Sequence, residues 1–94
     1  MKTDDQDKLR AIIVDDEDLA RQGLAKRLEA FSHVEVVQEA RNAHEALKAI
    51  TAHEPDLVFL DIQMPGMTGV ELLSEIQADL MPMIIFVTAF DSFA

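Results

Sequence analysis

The sequence predicts an α/β fold in which a doubly wound parallel sheet is covered by helices on both faces. Short apolar runs rich in β-branched residues alternate with amphipathic helical stretches along the chain. Only a few residues separate neighbouring elements, which is typical of parallel strands joined by right-handed helical crossovers. The strand-like runs are almost entirely apolar, as expected for strands that are covered on both faces. We therefore expect about four strand–helix units.

The composition limits the classes of protein that the chain can represent. Its 94 residues carry a formal net charge of −10, with 49% hydrophobic residues and no cysteine, which describes one small, acidic, soluble domain. Two full domains, a disulfide framework and a thiolate zinc site are excluded, and no apolar run approaches the ~18 residues of a membrane-spanning helix. Residues 1–8 form a polar leader without signal-peptide features, so we expect a cytoplasmic protein. The negative charge disfavours direct binding to nucleic acid phosphates and favours cations and basic partner surfaces.

Two strand–helix units are predicted in the first half of the chain. The first strand covers Leu9–Val14 and ends abruptly in acidic residues. Asp16 or Asp18 can cap the helix that follows. The second strand covers Val34–Val37, and Asn42 can cap the second helix. The predicted inward faces of the two helices are formed by Leu24, Leu28 and Phe31 and by Ala43, Ala46, Leu47 and Ile50.

Two more strands are predicted in the second half. Leu57–Leu60 is apolar throughout, and residues 64–66 have the Met-Pro-Gly composition of a turn before Thr68, which can cap a third helix. The fourth strand covers Met83–Val87. The inward face of the third helix is formed by Val70, Leu73, Ile76 and Leu80. Three aromatic residues also fit the core by periodicity, namely Phe31, Phe59 and Phe86.

Four polar residues follow the predicted strands, at the edge where open parallel sheets bind ligands. Asp15 and Asp16 follow the first strand, Asp61 follows the third, and Thr88 follows the fourth. Three carboxylates that meet in a small volume repel one another, and a hard divalent ion bound by carboxylate, carbonyl and water oxygens would offset this charge. We therefore expect Mg²⁺ at this edge. With the charge partly neutralised, Asp61 is best placed to act as a nucleophile toward phosphorus.

Simpler explanations exist for individual residues. Asp15 and Asp16 could do no more than cap a helix and favour its positive end, and Asp61 alone could be an ordinary loop acid. Gly66 and Gly69 lack the G-x-G-x-x-G spacing of a phosphate-binding loop, so we expect them at a turn and at a helix start. The three histidines share no metal-ligand spacing and are expected on the solvated surface, at His33, His44 and His53.

Three stretches resemble, in their order and spacing, the receiver domain of two-component response regulators: IIVDDEDLAR, LVFLDIQMPGMTGVELL and IIFVTAFDSFA. An acidic pair, a lone Asp before a Met-Pro-Gly turn and a strand that ends in Thr all fall at the strand ends expected for this family. The resemblance implies a flavodoxin-like sheet with strand order 2-1-3-4-5. It also implies a signalling domain that catalyses only its own phosphotransfer and autodephosphorylation.

The same resemblance implies a role for each site residue. Asp61 would accept a phosphoryl group from a histidine kinase. Asp16 and Asp61 would hold Mg²⁺ with the backbone carbonyl of Gln63, and Asp15 would help through a water molecule. Thr88 would be the switch hydroxyl that moves to bond the new phosphate. Two flanking residues would tune how fast water reaches the aspartyl phosphate, Gln63 and Phe90.

Two stretches further resemble receivers of the LytTR class, DDEDLARQGL and TAFDSFA. The usual output of that class is a separate DNA-binding domain, which implies control of transcription. A complete receiver has five strand–helix units, so we expect residues 9–94 to form an incomplete receiver. No residue here corresponds to the phosphoryl-contacting lysine and the aromatic residue of the family's fifth strand. Without that strand, Met83–Val87 becomes an exposed apolar edge, and we expect self-association through it.

Two other classes of function are compatible with the sequence. A phosphohydrolase of the haloacid dehalogenase type also uses a strand-end Asp nucleophile with Mg²⁺. However, that class needs a second Asp two residues after the nucleophile, where this chain has Gln63 after Asp61 and Glu17 after Asp15. Alternatively, a truncated receiver-like module without phosphorylation competence could bind a partner or itself. Turnover of a phosphate ester would favour the first class, and failure to bind Mg²⁺ or accept phosphate would favour the second.

Overall fold

Strands and helices alternate in the computed structural model, which describes residues 8–62 and 69–87, without the side chains of 69 and 70. The described elements are, in chain order, β1 (Leu9–Val14), α1 (Asp18–Leu28), β2 (Val34–Ala40), α2 (Ala43–His53), β3 (Leu57–Asp61), α3 (Gly69–Glu75), a 3₁₀ turn (Ala78–Leu80) and β4 (Met83–Val87). None of the helices in these ranges has the length and apolar character that a membrane crossing requires.

The strands form one sheet in the order β2-β1-β3-β4, and every pairing in it is parallel. Val14, at the end of β1, lies opposite Ala40 of β2 and Leu60 of β3. Parallel neighbours cannot be joined by a tight hairpin, so crossover segments with helices connect the strands. The predicted α/β fold is confirmed, together with the order of the first four strands.

The central strand β1 is buried from both faces of the sheet. Residues 11–14 are each at most 1% exposed, although successive side chains of a strand point to opposite faces. Ile12 and Val14 belong to a core cluster that also contains residues of α2, β3 and α3. The helix α1 contacts β1 and β2. Because packing covers both faces of β1, its carboxyl end is held in a fixed position.

The helix α2 packs on the sheet through small side chains, and Asn42 caps it as predicted. The Asn42 Oδ1 accepts a hydrogen bond from the Glu45 N–H at 2.8 Å. The Glu45 carboxylate accepts hydrogen bonds from the Arg41 N–H at 2.9 Å and from its guanidinium at 3.1 Å, and these bonds hold the pKa of Glu45 below its usual value. Glu54 ends the helix in the left-handed region with a φ of 46°. The buried face consists of Ala43, Ala46, Ala49 and Ile50.

The boundaries of α1 and β2 differ from the sequence prediction. Neither Asp16 nor Asp18 caps α1, because Glu17 occupies the cap position and makes no side-chain capping bond. The helix ends at Leu28, so Phe31 falls in the turn beyond it and is 58% exposed. The predicted core position of Phe31 is therefore wrong. The strand β2 continues past the predicted end to Ala40.

The helix α3 ends before Leu80, the last residue of the predicted inward face, and it buries Leu72, which the prediction omitted. It ends at Glu75, and the 3₁₀ turn carries the chain towards β4. Leu72 is fully buried in the core cluster together with Ile76. Leu73 and Leu80, which were expected to face inward, pack against the same cluster and are half-buried. The predicted face assumed one continuous helix as far as Leu80, whereas the structure places Leu80 in the 3₁₀ turn.

The strand β4 pairs only with β3 among the described strands, so its other side is an edge of the described sheet. Met83, Ile85 and Phe86 are exposed, whereas Ile84 packs against the core cluster. The predicted core position of Phe86 is wrong within the described residues, where its side chain is exposed and no described element covers it. An exposed apolar edge at β4 is present within the described residues, as expected.

The amino edge of the sheet is held by a small polar network. The Arg10 N–H donates to the Asp56 Oδ2 at 2.8 Å, and the Asp56 N–H donates to the Arg10 carbonyl at 2.8 Å. The Arg10 guanidinium donates to the backbone carbonyl of His53 at 2.5 Å. His53 is half-buried and not solvated as predicted, while the other two histidines are exposed as predicted.

The burial of Leu72 leads to a stability prediction. Replacing Leu72 with Ala should lower the free energy of unfolding by about 2–5 kcal/mol, because it leaves a cavity in the core. The neighbouring Leu73→Ala change is the control and should cost clearly less, since Leu73 is half-buried. Urea denaturation followed by circular dichroism measures both. An equal or larger loss for Leu73→Ala would contradict the face assigned to α3.

Candidate functional site

Two neighbouring strands bring three carboxylates together. Val14 of β1 lies opposite Leu60 of β3 in a parallel register, so both strands end at the same edge of the sheet. Asp15 and Asp16 follow β1, and Asp61 is the last residue of β3. One carboxylate oxygen from each lies within 4.8 Å of the other two. The structure thus brings together the three acidic residues selected from the sequence.

The three carboxylates differ in their exposure to solvent. Asp15 and Asp61 are half-buried, whereas Asp16 is exposed. Like charges at this spacing repel one another, and partial burial weakens the screening by water. A cation bound among the three carboxylates would relieve this repulsion, and the exposed side at Asp16 gives it access.

The donor set fits Mg²⁺. This ion prefers oxygen ligands at about 2.0–2.1 Å in an octahedron, which places opposite ligands about 4.2 Å apart. The oxygens of the cluster lie within 4.8 Å of one another, so small side-chain rotations can reach that spacing. Mg²⁺ usually takes one or two carboxylates and keeps several waters. One of the three acids can therefore bind the ion through a water molecule.

The backbone of Asp15 is fixed by its neighbours on both sides. Its N–H donates to the carbonyl of Ala40 at the end of β2, at 3.1 Å. Its carbonyl accepts a hydrogen bond from Nη1 of Arg21 at 2.7 Å. Its Oδ1 accepts from the N–H of Glu17 at 2.9 Å. The short segment that carries the acidic pair is thus tied to both β2 and α1.

Arg21 is a residue of this region that the sequence prediction missed. Its place among the polar positions of the first helix predicts exposure, yet it is only 9% exposed. Its guanidinium also contacts the carboxylates of Asp18 and Glu39, with Nε donating to the Glu39 Oε1 at 3.3 Å. A cation near the positive end of a helix is unfavourable by itself. An arginine close to the start of a helix therefore indicates nearby acidic partners, and this was the feature of the sequence that could have identified Arg21.

Ile62, the residue after Asp61, lies next to β4. Asp61 pairs with Val87 in the parallel register of β3 and β4, and the Ile62 N–H donates to the Val87 carbonyl at 3.4 Å. Asp61 therefore lies beside the end of β4. The other predicted site residues lie outside the described residues, namely Gln63, Thr88 and Phe90.

The fold and the acidic cluster agree with the family to which the sequence is related. Residues 11–94 match the family described as the Response regulator receiver domain. Since this match spans most of the chain, the chain belongs to the response regulator receiver family. It is accordingly a signalling domain and not a conventional enzyme, and the phosphohydrolase alternative gains no support.

Curated relatives are response regulators of bacteria. The chain is 50% identical over 86 residues to an uncharacterized response regulatory protein of Vibrio parahaemolyticus, and the match covers 92% of this chain and 36% of the relative. It is 43% identical to the transcriptional regulatory protein BtsR of Escherichia coli K12, with the same coverage of both chains. The chain therefore spans about a third of the length of these relatives.

Solved structures of receiver domains have a similar fold. The signal receiver domain of the putative response regulator NarL from Mycobacterium tuberculosis is 35% identical and has a TM-score of 0.79, with 90% of this chain and 69% of that chain covered. The response regulatory domain of mrkE from Klebsiella pneumoniae is 34% identical with a TM-score of 0.72, covering 88% and 69% of the two chains. The predicted receiver fold is thus confirmed.

The repulsion within the acidic cluster leads to a second stability prediction. Without divalent ions and at low ionic strength, Asp16→Asn should raise the melting temperature by a few degrees, because it removes one of three clustered charges. Added salt or Mg²⁺ should shrink this gain. Thermal unfolding followed by circular dichroism measures the effect.

A matched control separates the cluster from the overall negative charge. Asp79 is exposed and lies in the 3₁₀ turn, outside the cluster. Asp79→Asn changes the net charge by the same amount and should raise the melting temperature less. If both variants gained equally, the repulsion would be a property of the whole acidic domain.

Proposed function

We propose that this chain is a phosphoacceptor receiver domain of a two-component response regulator and that Asp61 accepts a phosphoryl group from a histidine kinase. The observation that carries the proposal is the cluster of Asp15, Asp16 and Asp61 at the carboxyl edge of a receiver-family sheet. The position of Asp61 in β3 fixes its backbone, and its side chain is only half-buried. An incoming phosphoryl group can therefore meet a well-positioned carboxylate.

The proposed reaction is a nucleophilic substitution at phosphorus. An oxygen of Asp61 forms a bond to phosphorus while the bond from phosphorus to the kinase histidine nitrogen breaks, and the imidazole keeps the electron pair. Dephosphorylation occurs when a water oxygen attacks the phosphorus and the Asp61 carboxylate leaves. Positioning and charge compensation dominate such transfers, which suits a domain whose catalysis is limited to its own modification.

The proposed cofactor is Mg²⁺, which when bound would offset the negative charge of the carboxylates and of the phosphoryl oxygens. Asp16 and Asp61 would bind it directly with the backbone carbonyl of Gln63, and Asp15 through water. The Asp15 Oδ1 already accepts the Glu17 N–H at 2.9 Å. Because this bond restrains the rotation of the Asp15 side chain, it supports a water-mediated role for that residue.

We also propose Thr88 as the switch hydroxyl. The supporting observation is that Asp61 pairs with Val87, the residue that precedes Thr88. Phosphorylation adds ~−1.5 to −2 charge and three acceptor oxygens, and it would do so beside the end of β4. A hydroxyl in the segment after β4 can bond one of these oxygens. Gln63 and Phe90, close to these residues in sequence, would tune the access of water.

The proposed output is control of transcription through a DNA-binding domain of the LytTR class. The relatives extend well beyond the matched part, and one of them is named a transcriptional regulatory protein. We propose that a longer regulator of the same kind contains this chain and works in the cytoplasm. The net charge of −10 disfavours binding of DNA phosphates by these residues themselves.

Phosphorylation can be tested on the chain directly. Incubation with Mg²⁺ and acetyl phosphate should add the mass of one phosphoryl group to the intact protein, and Asp61→Asn should abolish this labelling. The control Asp79→Asn should be labelled like the wild type. Mass spectrometry after a short incubation measures all three proteins.

Three results would contradict the assignment. Labelling that persists in Asp61→Asn would place the modification elsewhere. A folded, Mg²⁺-binding wild type that is never labelled would favour an interaction module without chemistry. Release of phosphate from an added phosphate ester with continued turnover would favour a phosphohydrolase.

A second proposal concerns self-association through the edge of β4. The observation that favours it is the exposure of Met83, Ile85 and Phe86 on a strand that pairs only with β3 in the described sheet. In general, the backbone N–H and C=O groups at an exposed apolar strand edge can form hydrogen bonds with a strand of another chain. A second copy of this chain presents the same edge, so the two can associate.

Self-association should depend on the β4 edge. Light scattering after size-exclusion chromatography should show a mass above that of the monomer that falls on dilution, and Ile85→Lys should shift the protein towards the monomer because it places a charge on the edge. Leu19→Lys is the control, since Leu19 is 81% exposed on α1. A wild type that stays monomeric at high concentration would refute the proposal.

A further inference from the structure

Arg21 is the one charged residue that is buried within residues 8–62 and 69–87. Burying a guanidinium is costly unless its N–H groups find acceptors. Arg21 meets this condition with a different nitrogen for each partner: Nη1 donates to the Asp15 carbonyl, Nη2 to the Asp18 carboxylate and Nε to the Glu39 carboxylate. One side chain therefore connects the end of β1, the start of α1 and β2.

The three contacts of Arg21 differ in what they achieve. Asp18 has a side chain that is 70% exposed, and that of Glu39 is 39% exposed, so water weakens both ion pairs. The contact with the Asp15 carbonyl, at 2.7 Å, involves the backbone. That carbonyl belongs to the peptide group between Asp15 and Asp16. Arg21 thus holds the peptide plane that leads directly into Asp16.

A second hydrogen bond fixes the other side of Asp15, where its N–H donates to the Ala40 carbonyl at 3.1 Å. Asp16 itself lies in no strand or helix. The direction of the Asp16 carboxylate therefore depends on how firmly the preceding peptide group is held. From these contacts we propose that Arg21 is a positioning residue that orients the Asp15–Asp16 segment for cation binding, an inference that rests on the Mg²⁺ site of the proposed function.

The geometry requires arginine in particular. Its planar fork presents five N–H donors on three nitrogens, whereas lysine has a single nitrogen on a flexible stem. Lysine at position 21 would keep the positive charge but could not bond all three segments at once. The Arg21→Lys variant therefore separates the geometric role from a simple charge effect.

Two measurements test this positioning role. The first is Mg²⁺ affinity from the shifts of backbone amides in an NMR titration, and the second is the exchange rate of the Asp15 and Glu17 amide hydrogens without metal. Arg21→Lys should weaken Mg²⁺ binding about tenfold, as is typical when a residue supporting a metal ligand is lost. It should also raise the exchange rates of these two amides relative to amides in α2.

The control must destabilise the same helix without touching the acidic pair. Leu28 is buried at the other end of α1 and is 8% exposed. Leu28→Ala should speed amide exchange without singling out Asp15 and Glu17, and it should leave Mg²⁺ affinity unchanged. Glu39→Gln, a milder change at one partner of Arg21, should give an intermediate result. These two variants keep the test informative if an Arg21 variant folds poorly.

Some outcomes would overturn this inference. Wild-type Mg²⁺ affinity in Arg21→Lys, or equal weakening in Leu28→Ala, would reduce Arg21 to a structural role. A wild type that binds no Mg²⁺ would instead contradict the metal step of the proposed function. In that case the amide exchange rates alone test the role of Arg21. If Arg21→Lys raised the exchange rates of the Asp15 and Glu17 amides no more than those of amides in α2, the positioning role would be refuted.

Discussion

The parallel register between β1 and β3 is the constraint on which the rest of the site depends. Because Val14 lies opposite Leu60, the acids at the carboxyl ends of these strands share one edge of the sheet. A slip of one residue would turn the side chains of β3 to the opposite face and move Asp61 away from the acidic pair. At the amino edge, the Arg10 N–H donates to the Asp56 carboxylate and the Asp56 N–H donates to the Arg10 carbonyl, which fixes the same register from the other end.

Stability and function oppose each other at the carboxyl edge of the sheet. The apolar side chains of residues 11–14 are almost completely removed from water and stabilise the centre of the sheet. The three carboxylates at its edge repel one another and act in the opposite direction. Neutralising them would relieve the repulsion but would also remove the ligands that a cation needs. The buried apolar strand is therefore the part of the structure that allows an acidic cluster to persist.

The predictable parts of the fold are those that depend on local pattern. Apolar runs located each strand of the described residues, and the cap at Asn42 could be predicted because its hydrogen bond spans only three residues of chain. The parts that failed depend on where helices stop. Phe31 is exposed because α1 ends at Leu28, and Leu80, expected on the inward face of a continuous helix, lies in a 3₁₀ turn and is only half-buried. Helix ends depend on tertiary packing, which periodicity alone does not encode.

Asp61 and Asp16 are positioned by different means. This explains why the sequence pattern alone reveals what holds Asp61 but not what holds Asp16. Asp61 is part of β3 and pairs with Val87, so the sheet itself sets its position and the strand pattern in the sequence reveals it. Asp16 lies outside the strands and depends on the peptide group before it, which Arg21 holds. Arg21 is itself held by Glu39 of β2, a contact between segments distant in sequence. The carboxylates could thus be identified from the sequence, whereas the side chain that orients one of them required the structure.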